Sequence, residues 1–279
     1  MKALRRVLPF TMAFLFLALP HGTKADILPG EEKFLFQLGY FLPSFDTKLR
    51  VDNDDGTRGD EVNLEKDLGF DHQETTILAS ATWRMSPRNR LSVGYFRFHR
   101  TATKVIDKQI EIGDEVYPVN AELQSDITLN IIPISYSYSF LKTDKWEVAG
   151  TLGVQWSTIT FDIKGSASAG GPGADAHVRA DALAPLPLVG VDATYFMTKK
   201  WHVGGNLGVF YYKLGSANIN FEGTVGNATL NTDYWFSNYV GAGVALNWFV
   251  LNLDAAEKRW DGDFKYSYFG PQIYLTGRF

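Results

Sequence analysis

The feature that most constrains this chain is an alternation of apolar and polar residues with a period of two, clearest between Trp146 and Thr160. One face of this segment carries Trp146, Val148, Gly150, Leu152, Val154 and Trp156. The other face carries Glu147, Ala149, Thr151, Gly153, Gln155 and Ser157. Such alternation is typical of a β-strand whose two faces meet different environments.

The spacing of the two tryptophans in this segment indicates what the apolar face meets. At roughly 3.3 Å per residue and a tilt near 45°, the separation of Trp146 and Trp156 is about 23 Å along a membrane normal. The apolar band of an outer-membrane barrel is about 25 Å tall and is bordered by aromatic girdles. The segment is therefore predicted to span a membrane, with one face toward lipid and one toward a lumen.

The same alternation recurs in residues 132–140, 201–211 and 240–248. Their polar faces are rich in Gly, Ser and Asn and poor in the Lys and Glu that normally solvate an outer surface. This composition favours a narrow polar lumen. The alternative of a soluble periplasmic β-protein is disfavoured, because water would not tolerate an exposed apolar face of this kind.

Connections between strands alternate between short and long. Short ones are predicted at 85–89, 142–145, 197–200 and 237–238, and longer polar ones at about 52–72, 107–122, 165–177, 222–227 and 255–262. Short periplasmic turns alternating with longer external loops are the rule in transmembrane barrels. We therefore predict an all-β, antiparallel up-and-down transmembrane barrel of ten strands with both ends periplasmic. Eight strands, with one hairpin outside the membrane, is the main alternative, within a range of 8 to 12.

The ten predicted strand cores cover residues 33–50, 74–84, 90–106, 123–141, 145–164, 178–197, 200–220, 228–236, 239–254 and 264–279.

Residues 1–25 have the pattern of a secretory signal peptide, and residues 26–279 are predicted to form one barrel domain. Lys2, Arg5 and Arg6 precede an apolar stretch from Val7 to Leu19, which is shorter than the about 20 residues that a membrane-spanning helix needs. Cleavage is predicted near Ala25. An uncleaved inner-membrane anchor is the alternative.

Charge and cysteine content exclude several classes of function. Residues 26–279 carry 23 Lys and Arg against 31 Asp and Glu, a net charge of −8, because the leader holds four basic and no acidic residues. This balance argues against a nucleic-acid partner, whose binding needs basic surface. The chain has no cysteine, so disulfides, thiol catalysis and thiolate metal sites are excluded.

The last strand carries the most specific resemblance to known proteins. Its residues Phe269, Pro271, Ile273, Leu275 and Phe279 share one face. With this terminus and architecture, residues 26–279 resemble the outer-membrane β-barrel superfamily of Gram-negative bacteria, in the size range of the small OmpW-like and OmpA-like barrels. The tract 60–70 is similar to a subgroup of barrel proteins without assigned activity.

The resemblance implies a multi-pass protein of the Gram-negative outer membrane, in contact with lipid and lipopolysaccharide. It also implies that the barrel-assembly machinery reads the terminal strand as its signal, at Phe269, Ile273, Leu275 and Phe279. Gly277 departs from the apolar residue that is often found two positions before the end. Oligomeric state is not predicted.

Charged residues on the inward faces are predicted to gather near the periplasmic turns. They are Arg84, Glu147, Asp192, His202, Asp233 and Arg278. Buried charges must pair or meet water. Two interpretations follow: a paired network that fills the barrel, or a charged constriction that selects small solutes. Because a ten-stranded barrel is far narrower than an open porin, any pore should be narrow.

No motif of a named enzyme or transporter is found. Outside the leader the chain has four histidines, and two of them, His72 and His177, lie in predicted loops without an obvious partner. His99 lies on a strand that leaves the membrane, and His202 is predicted to face the lumen near the periplasmic rim. We therefore predict a non-catalytic barrel, either a narrow porin-like conduit for small or hydrophobic solutes or a structural surface protein. A lipid-modifying or proteolytic barrel enzyme is the alternative.

The first predicted external loop is strongly acidic. Its start, Asp52 to Gly56, has carboxylates at Asp52, Asp54 and Asp55 before a glycine, a partial match to a calcium loop. The loop is expected either to be solvated or to hold Ca²⁺, which would bridge to lipopolysaccharide phosphates. No other cofactor is expected.

Overall fold

A computed structural model describes residues 27–52, 58–112, 115–167, 174–216, 219–257 and 260–279 of the protein. The predicted leader lies outside these residues. The elements are β1 Phe34–Phe41, β2 Ser44–Val51, β3 Val62–Asn63, α1 Leu64–Asp67, β4 Thr76–Ser86, β5 Asn89–Val105, β6 Ile110–Ile112, β7 Glu115–Tyr117, β8 Glu122–Lys142, β9 Trp146–Ala167, β10 Ala174–Phe196, β11 Trp201–Ser216, β12 Ile219–Trp235, β13 Val240–Glu257 and β14 Trp260–Arg278.

The strands form a closed antiparallel up-and-down barrel. It has ten strands when β1 and β2 are counted as one, which confirms the predicted fold class and strand count. β1 closes the barrel against β14, from Leu35 opposite Arg278 to Phe41 opposite Gln272. The first predicted strand is broken between β1 and β2, at a point where Pro43 has no N–H to donate. Beyond this break, β2 pairs with β14 and with the short β3.

The predicted loop at 222–227 is wrong. These residues lie within β12, where Glu222 is opposite Lys213 of β11 and forms an ion pair with it at 2.9 Å. The Gly and Asn residues that suggest a turn are held extended by cross-strand pairing.

β9 and β10 are 22 and 23 residues long. A strand needs about 9–11 residues to cross a bilayer, so both strands project well beyond the membrane on the external side.

The two faces of the wall differ as the alternation predicts. Leu152 is 61% exposed and faces outward, whereas Ala149 on the same strand is fully buried and faces the lumen. Phe269, Ile273 and Leu275 of β14 and Phe279, which follows it, face outward as well. No helix among the described residues is long and apolar enough to cross a bilayer.

The hydrophobic core lies inside the barrel, in its external half. Aromatic side chains from β1, β2, β5, β13 and β14 form its centre, and their rings pack edge-to-face or stacked: Phe41, Phe45, Phe96, Phe98, Phe249, Tyr266 and Tyr268. The apolar side chains on the outer face need no protein partner, because membrane lipid covers them. The interior therefore holds a buried cluster of phenylalanine and tyrosine rings, whereas most of the described tryptophans lie on the outer face.

Candidate functional site

The periplasmic end of the lumen contains a buried ion pair between Arg84 of β4 and Glu147 of β9. The Arg84 guanidinium donates two parallel hydrogen bonds to the Glu147 carboxylate, at 2.8 and 3.1 Å. Both side chains are almost completely buried. The Ser139 hydroxyl also donates to Glu147, at 2.6 Å. Bidentate, charge-assisted pairing of this kind is the strongest arrangement available to a buried carboxylate.

The segment that precedes β1 lies across this end of the barrel. Glu32 accepts a hydrogen bond from Arg84 at 3.2 Å, and the Lys142 ammonium donates to the Gly30 carbonyl at 2.7 Å. Gly30 has a left-handed backbone (φ 76°) and lies against the Phe196 ring. Charge and chain together therefore close the periplasmic opening. Sequence reasoning missed these partners, because Glu32 and Gly30 precede the periodic strand pattern.

The six residues predicted to form one network do not do so. In the described chain, the structure brings Arg84 and Glu147 of this group into an ion pair. Asp192 instead accepts hydrogen bonds from the hydroxyls of Ser137 (3.1 Å) and Thr151. It lies further inside the barrel than Glu147, which is opposite Thr194.

The remaining three predicted residues lie on β11, β12 and β14. Asp233 accepts from Tyr274 at 2.7 Å and from Asn231 at 2.8 Å. His202 accepts from the Trp235 indole at 3.2 Å. The Arg278 guanidinium lies 4.1 Å above the Trp235 ring and donates to the Asn238 carbonyl at 2.8 Å. Neutral and aromatic partners thus take the place of the opposite charges that the sequence led us to expect.

The external end of the lumen is closed by the first external loop, which folds into the mouth. Val62, Leu64, Leu68 and Phe70 from this loop are buried against the aromatic core. The Asn63 side chain caps α1 by accepting from the Lys66 N–H at 2.8 Å. The expectation of a solvated loop is therefore wrong for residues 62–70. Their apolar side chains, interleaved with acids, form the plug.

A second buried ion pair anchors this plug. The Arg100 guanidinium on β5 donates to Glu65 of α1 at 2.8 Å and to the Asp71 carbonyl at 2.6 Å. Its carbon lies between the Phe45 and Phe70 rings, 4.6 and 5.2 Å from their centroids. Arg100 therefore holds both ends of the plug by charge and by cation–π contact.

A small hairpin, β6–β7, adds to the closure of the external end. Ile110, Ile112 and Tyr117 of this hairpin are buried in the same core. Burial raises the pKa of the Tyr117 hydroxyl to about 12, so it stays neutral at physiological pH.

The acidic start of the loop has other partners where it is described. The Asp52 carboxylate lies 2.9 Å from Arg50 and accepts from the Gly59 N–H at 3.0 Å. Asp54 and Asp55 lie outside the described residues. Within the described chain, no group of three or more His, Cys, Asp or Glu side chains is placed to hold a metal ion. The calcium site stays a prediction.

Farther along the loop, Glu61 forms ion pairs with Lys48 of β2 and Lys265 of β14, both at 2.9 Å. Hydrogen bonds from Lys265 and Lys48 lower the pKa of the Glu61 carboxyl to about 2. Glu61 thus joins the loop to the rim of the barrel from outside.

Between the two closed ends lies a cavity of about 260 Å³. Its external side is apolar, formed by Phe41, Phe96, Leu188, Phe249 and Tyr268. The rest of its lining combines polar residues with apolar residues of the barrel wall: Gln155, Asp192, Asn206, Asn227, Thr229 and Asn247, and Ile134, Val154, Val191, Leu207 and Trp248. We call this cavity the chamber. The lining, with an aromatic side and a few converging amides, is of the kind found in ligand sites, and the volume lies just below the about 300 Å³ at which such sites begin.

Hydrogen bonds join the polar side chains in and beside the chamber across four neighbouring strands, β11 to β14. Asn227 donates to Asn206 at 2.7 Å, Thr229 donates to Asn247 at 2.9 Å, and Asn247 donates to Gln272 at 3.0 Å. The Asn227 amide oxygen is buried and has no hydrogen-bond partner among the described residues. A buried acceptor without a partner costs about 1–3 kcal/mol, and a bound donor would remove that cost if the Asn227 side chain turned its oxygen toward the chamber.

The histidines lie away from the chamber. His99 faces outward on β5, where it contacts Thr128 at 2.9 Å and Asp126 at 3.6 Å and is half exposed. His72 lies beside the Phe45 carbonyl in the plug loop, at 3.4 Å. The side chain of His177 lies outside the described part of the chain.

Comparison with solved structures identifies the fold. The chain is similar to the outer membrane protease OmpT from Escherichia coli, with 12% identity over 88% of this chain and 96% of that chain and a TM-score of 0.56. It is also similar to the Pseudomonas putida toluene transporter TodX (10% identity, 90% and 92% covered, TM-score 0.40). A third is the outer membrane protein OprG from Pseudomonas aeruginosa (11% identity, 89% and 96% covered, TM-score 0.39).

No protein-family profile matches the sequence, and no curated protein matches it. The likeness to OmpT therefore shows the fold alone, which is that of the Gram-negative outer-membrane β-barrels and agrees with the predicted location in the outer membrane.

Proposed function

We propose that this protein is a non-catalytic outer-membrane barrel that binds a small amphipathic molecule in the chamber and releases it without forming an open pore. The observation that carries the proposal is the chamber itself, a half-open space between a charged periplasmic closure and an aromatic external plug. A concave space with both apolar and polar lining is suited to holding an amphipathic molecule.

The dimensions and lining of the chamber indicate the class of ligand. A cavity of about 260 Å³ has the volume of roughly nine waters, since one water occupies about 30 Å³ in the liquid. Because bonded atoms lie closer together than waters, it has room for a molecule of about ten non-hydrogen atoms. The aromatic side favours an apolar ring or short chain. The partnerless Asn227 oxygen favours a hydroxyl or amine donor on the same ligand.

The two closures support binding over free conduction. An ion crossing the lumen would meet the paired Arg84 and Glu147 at one end and the packed rings around Phe98 at the other. Hydrophobic constrictions block ions by excluding water. The wild-type protein in planar bilayers should therefore carry no steady ion current, and a steady current would contradict the proposal.

Binding can be tested with 2-naphthol, which has one hydroxyl on an apolar double ring. We expect saturable binding by the purified barrel in detergent, followed by naphthol fluorescence. Asn227→Leu should weaken binding about three- to tenfold, the value of one hydrogen bond. Asn252→Leu on the exposed face of β13 is the matched control and should bind as the wild type does.

Other outcomes would favour the other functions. If neither the wild type nor any variant binds 2-naphthol saturably, the alternative of a structural surface protein is favoured. Turnover of a lipid or peptide that depended on His99 would favour an enzyme, because His99 is the described histidine beside both a hydroxyl and a carboxylate.

A further inference from the structure

The wall of the barrel is incomplete between β10 and β11. Their ladder runs from Phe196 opposite His202 to Val189 opposite Val209, which is eight residue pairs. By contrast, β10 pairs with β9 along 22 residues, and β11 pairs with β12 along 16. Beyond Val189 and Val209, the described residues of β10 pair with β9 alone and those of β11 with β12 alone. The sheet therefore splits at this level.

The sequence of β10 gives a physical reason for the split. Pro185 and Pro187 stand at alternate positions just beyond the end of the ladder, and proline has no N–H. In a strand, alternate residues direct their backbone groups to the same neighbour. Because the ladder with β9 continues through both prolines, the edge that lacks donors faces β11.

The split begins beside the chamber. Gly190 and Gly208 are opposite each other in the next pair of the ladder, and both line the chamber together with Leu188. A side chain at Gly190 would come within 2.5 Å of the Leu207 carbonyl oxygen, so the two backbones approach closely, and the side chains of Leu188 and Asn227 cover Gly208 on the chamber side. The inner edges of the split carry apolar residues, Leu186 and Phe210 among them.

The depth of the split points to lipid. Val189 lies opposite the outward, lipid-facing Leu152, and Pro185 lies opposite Trp156, the tryptophan at the external end of the apolar band. The first part of the split is therefore level with the outer half of the membrane, above the periplasmic closure and below the external rim. A molecule dissolved in the outer leaflet would meet it directly.

We propose that the split between β10 and β11 is a lateral passage through which a small amphipathic molecule moves between the outer leaflet and the chamber. This inference rests on the proposed function, since it assigns a route to the same ligand. The passage avoids both closures, so neither the Arg84–Glu147 pair nor the plug loop has to open. The apolar edges accept the ring of the ligand, and the amides beyond Gly208 accept its polar end.

Cross-linking tests the route, because the chain has no native cysteine. Pro187→Cys and Tyr211→Cys would face each other across the split if the ladder continued. A short bis-methanethiosulfonate linker between them should slow the exchange of 2-naphthol, measured by stopped flow in proteoliposomes, by at least tenfold. Its affinity at equilibrium should stay the same, and a reductant should restore the rate.

Two control pairs separate this route from the others. Tyr195→Cys with Val203→Cys links β10 and β11 where they already pair. Lys66→Cys with Lys104→Cys links the plug loop to β5, where the Lys104 ammonium donates to the Lys66 carbonyl. Neither link should change the rate, and each variant should show the heat-dependent gel shift of a folded barrel.

The outcomes are distinct. Undiminished exchange with a linked split, while equilibrium binding persists, would overturn the lateral passage and leave the proposed function intact. Slow exchange in the linked plug pair alone would assign the route to the external mouth. Absence of equilibrium binding in the wild type would overturn the function and the passage together.

Discussion

The two ends of the lumen are closed by opposite chemistry. At the periplasmic end, Arg84 and Glu147 form a buried, bidentate ion pair, and the chain before β1 lies over them. At the external end, the closure is mainly aromatic and aliphatic, and its ion pair, Arg100 with Glu65, is enclosed by the Phe45 and Phe70 rings.

This difference in chemistry predicts how each closure responds when one of its contacts is removed. An ion pair in a narrow lumen depends on both partners, because a single buried charge has no compensation. A cluster of rings loses contacts gradually, and a plug in a surface loop can move away without unfolding the barrel. We therefore expect that damage to the periplasmic closure destabilises the whole barrel, whereas damage to the external closure releases the plug loop and leaves the barrel folded.

The largest effect is expected from Glu147→Gln. This change leaves Arg84 beside a neutral amide with Glu32, at 3.2 Å, as its remaining carboxylate partner, and should lower the free energy of unfolding by about 3 kcal/mol, the low end for a broken buried pair. Urea unfolding of the barrel in lipid vesicles measures it. Adding Arg84→Met to the variant should recover most of the loss. A small loss in the single variant would show instead that water solvates this end of the lumen.

A smaller effect is expected from Leu68→Ala in the plug loop, where Leu68 is fully buried. Removing its side chain should cost about 2–3 kcal/mol, at the low end for a core leucine because the loop can settle into the space. The loss should appear as faster proteolysis of the loop, with the unfolding midpoint of the barrel little changed. Lys66→Ala, on the exposed side of α1, serves as the control. A shift of the global midpoint as large as that of Glu147→Gln would remove the contrast between the two ends.

The smallest effect is expected from pH at Glu61. Its pKa is lowered to about 2 from an ordinary value of 4.5, so its ion pairs with Lys48 and Lys265 contribute fully above pH 4.5 and are lost as pH falls toward 2. Because the pair is exposed, cleavage of the loop by pepsin should rise only about two- to fivefold across this window, relative to an unstructured substrate. Glu61→Gln should abolish this dependence. Equal pH dependence in both proteins would assign it to another carboxylate.

Much of the fold could be predicted because short-range sequence patterns specify the strands of a membrane barrel. The lipid-facing and lumen-facing sides alternate every two residues, so the assignment of Leu152 and Gly153 to opposite faces needed no knowledge of distant contacts. The count of ten strands followed from turns that are local as well. The loop at 222–227 failed for the converse reason, since Lys213 and other residues of β11 hold it extended.

The candidate site was less predictable. Glu147 and Arg84 were both identified from their inward position near the periplasmic turns, but their pairing and the separation of Asp192 and Asp233 from them depend on where each strand stands around the barrel. Arg100 and Glu65 are 35 positions apart and carry no shared motif. Their meeting depends on a loop that folds back into the mouth.

The sequence by itself determined that this chain is a barrel with an apolar outer surface. Period-two alternation and the spacing of aromatic residues are properties of single strands, and they can be compared directly with the thickness of a bilayer. Only the tertiary structure decided that the lumen is closed at both ends, that a chamber remains between the closures, and that β10 and β11 part beside it. Those features arise where strands distant in sequence meet across a common interior, and the residues that create them, Pro185 and Gly190 among them, have no distinctive meaning until their neighbours are known.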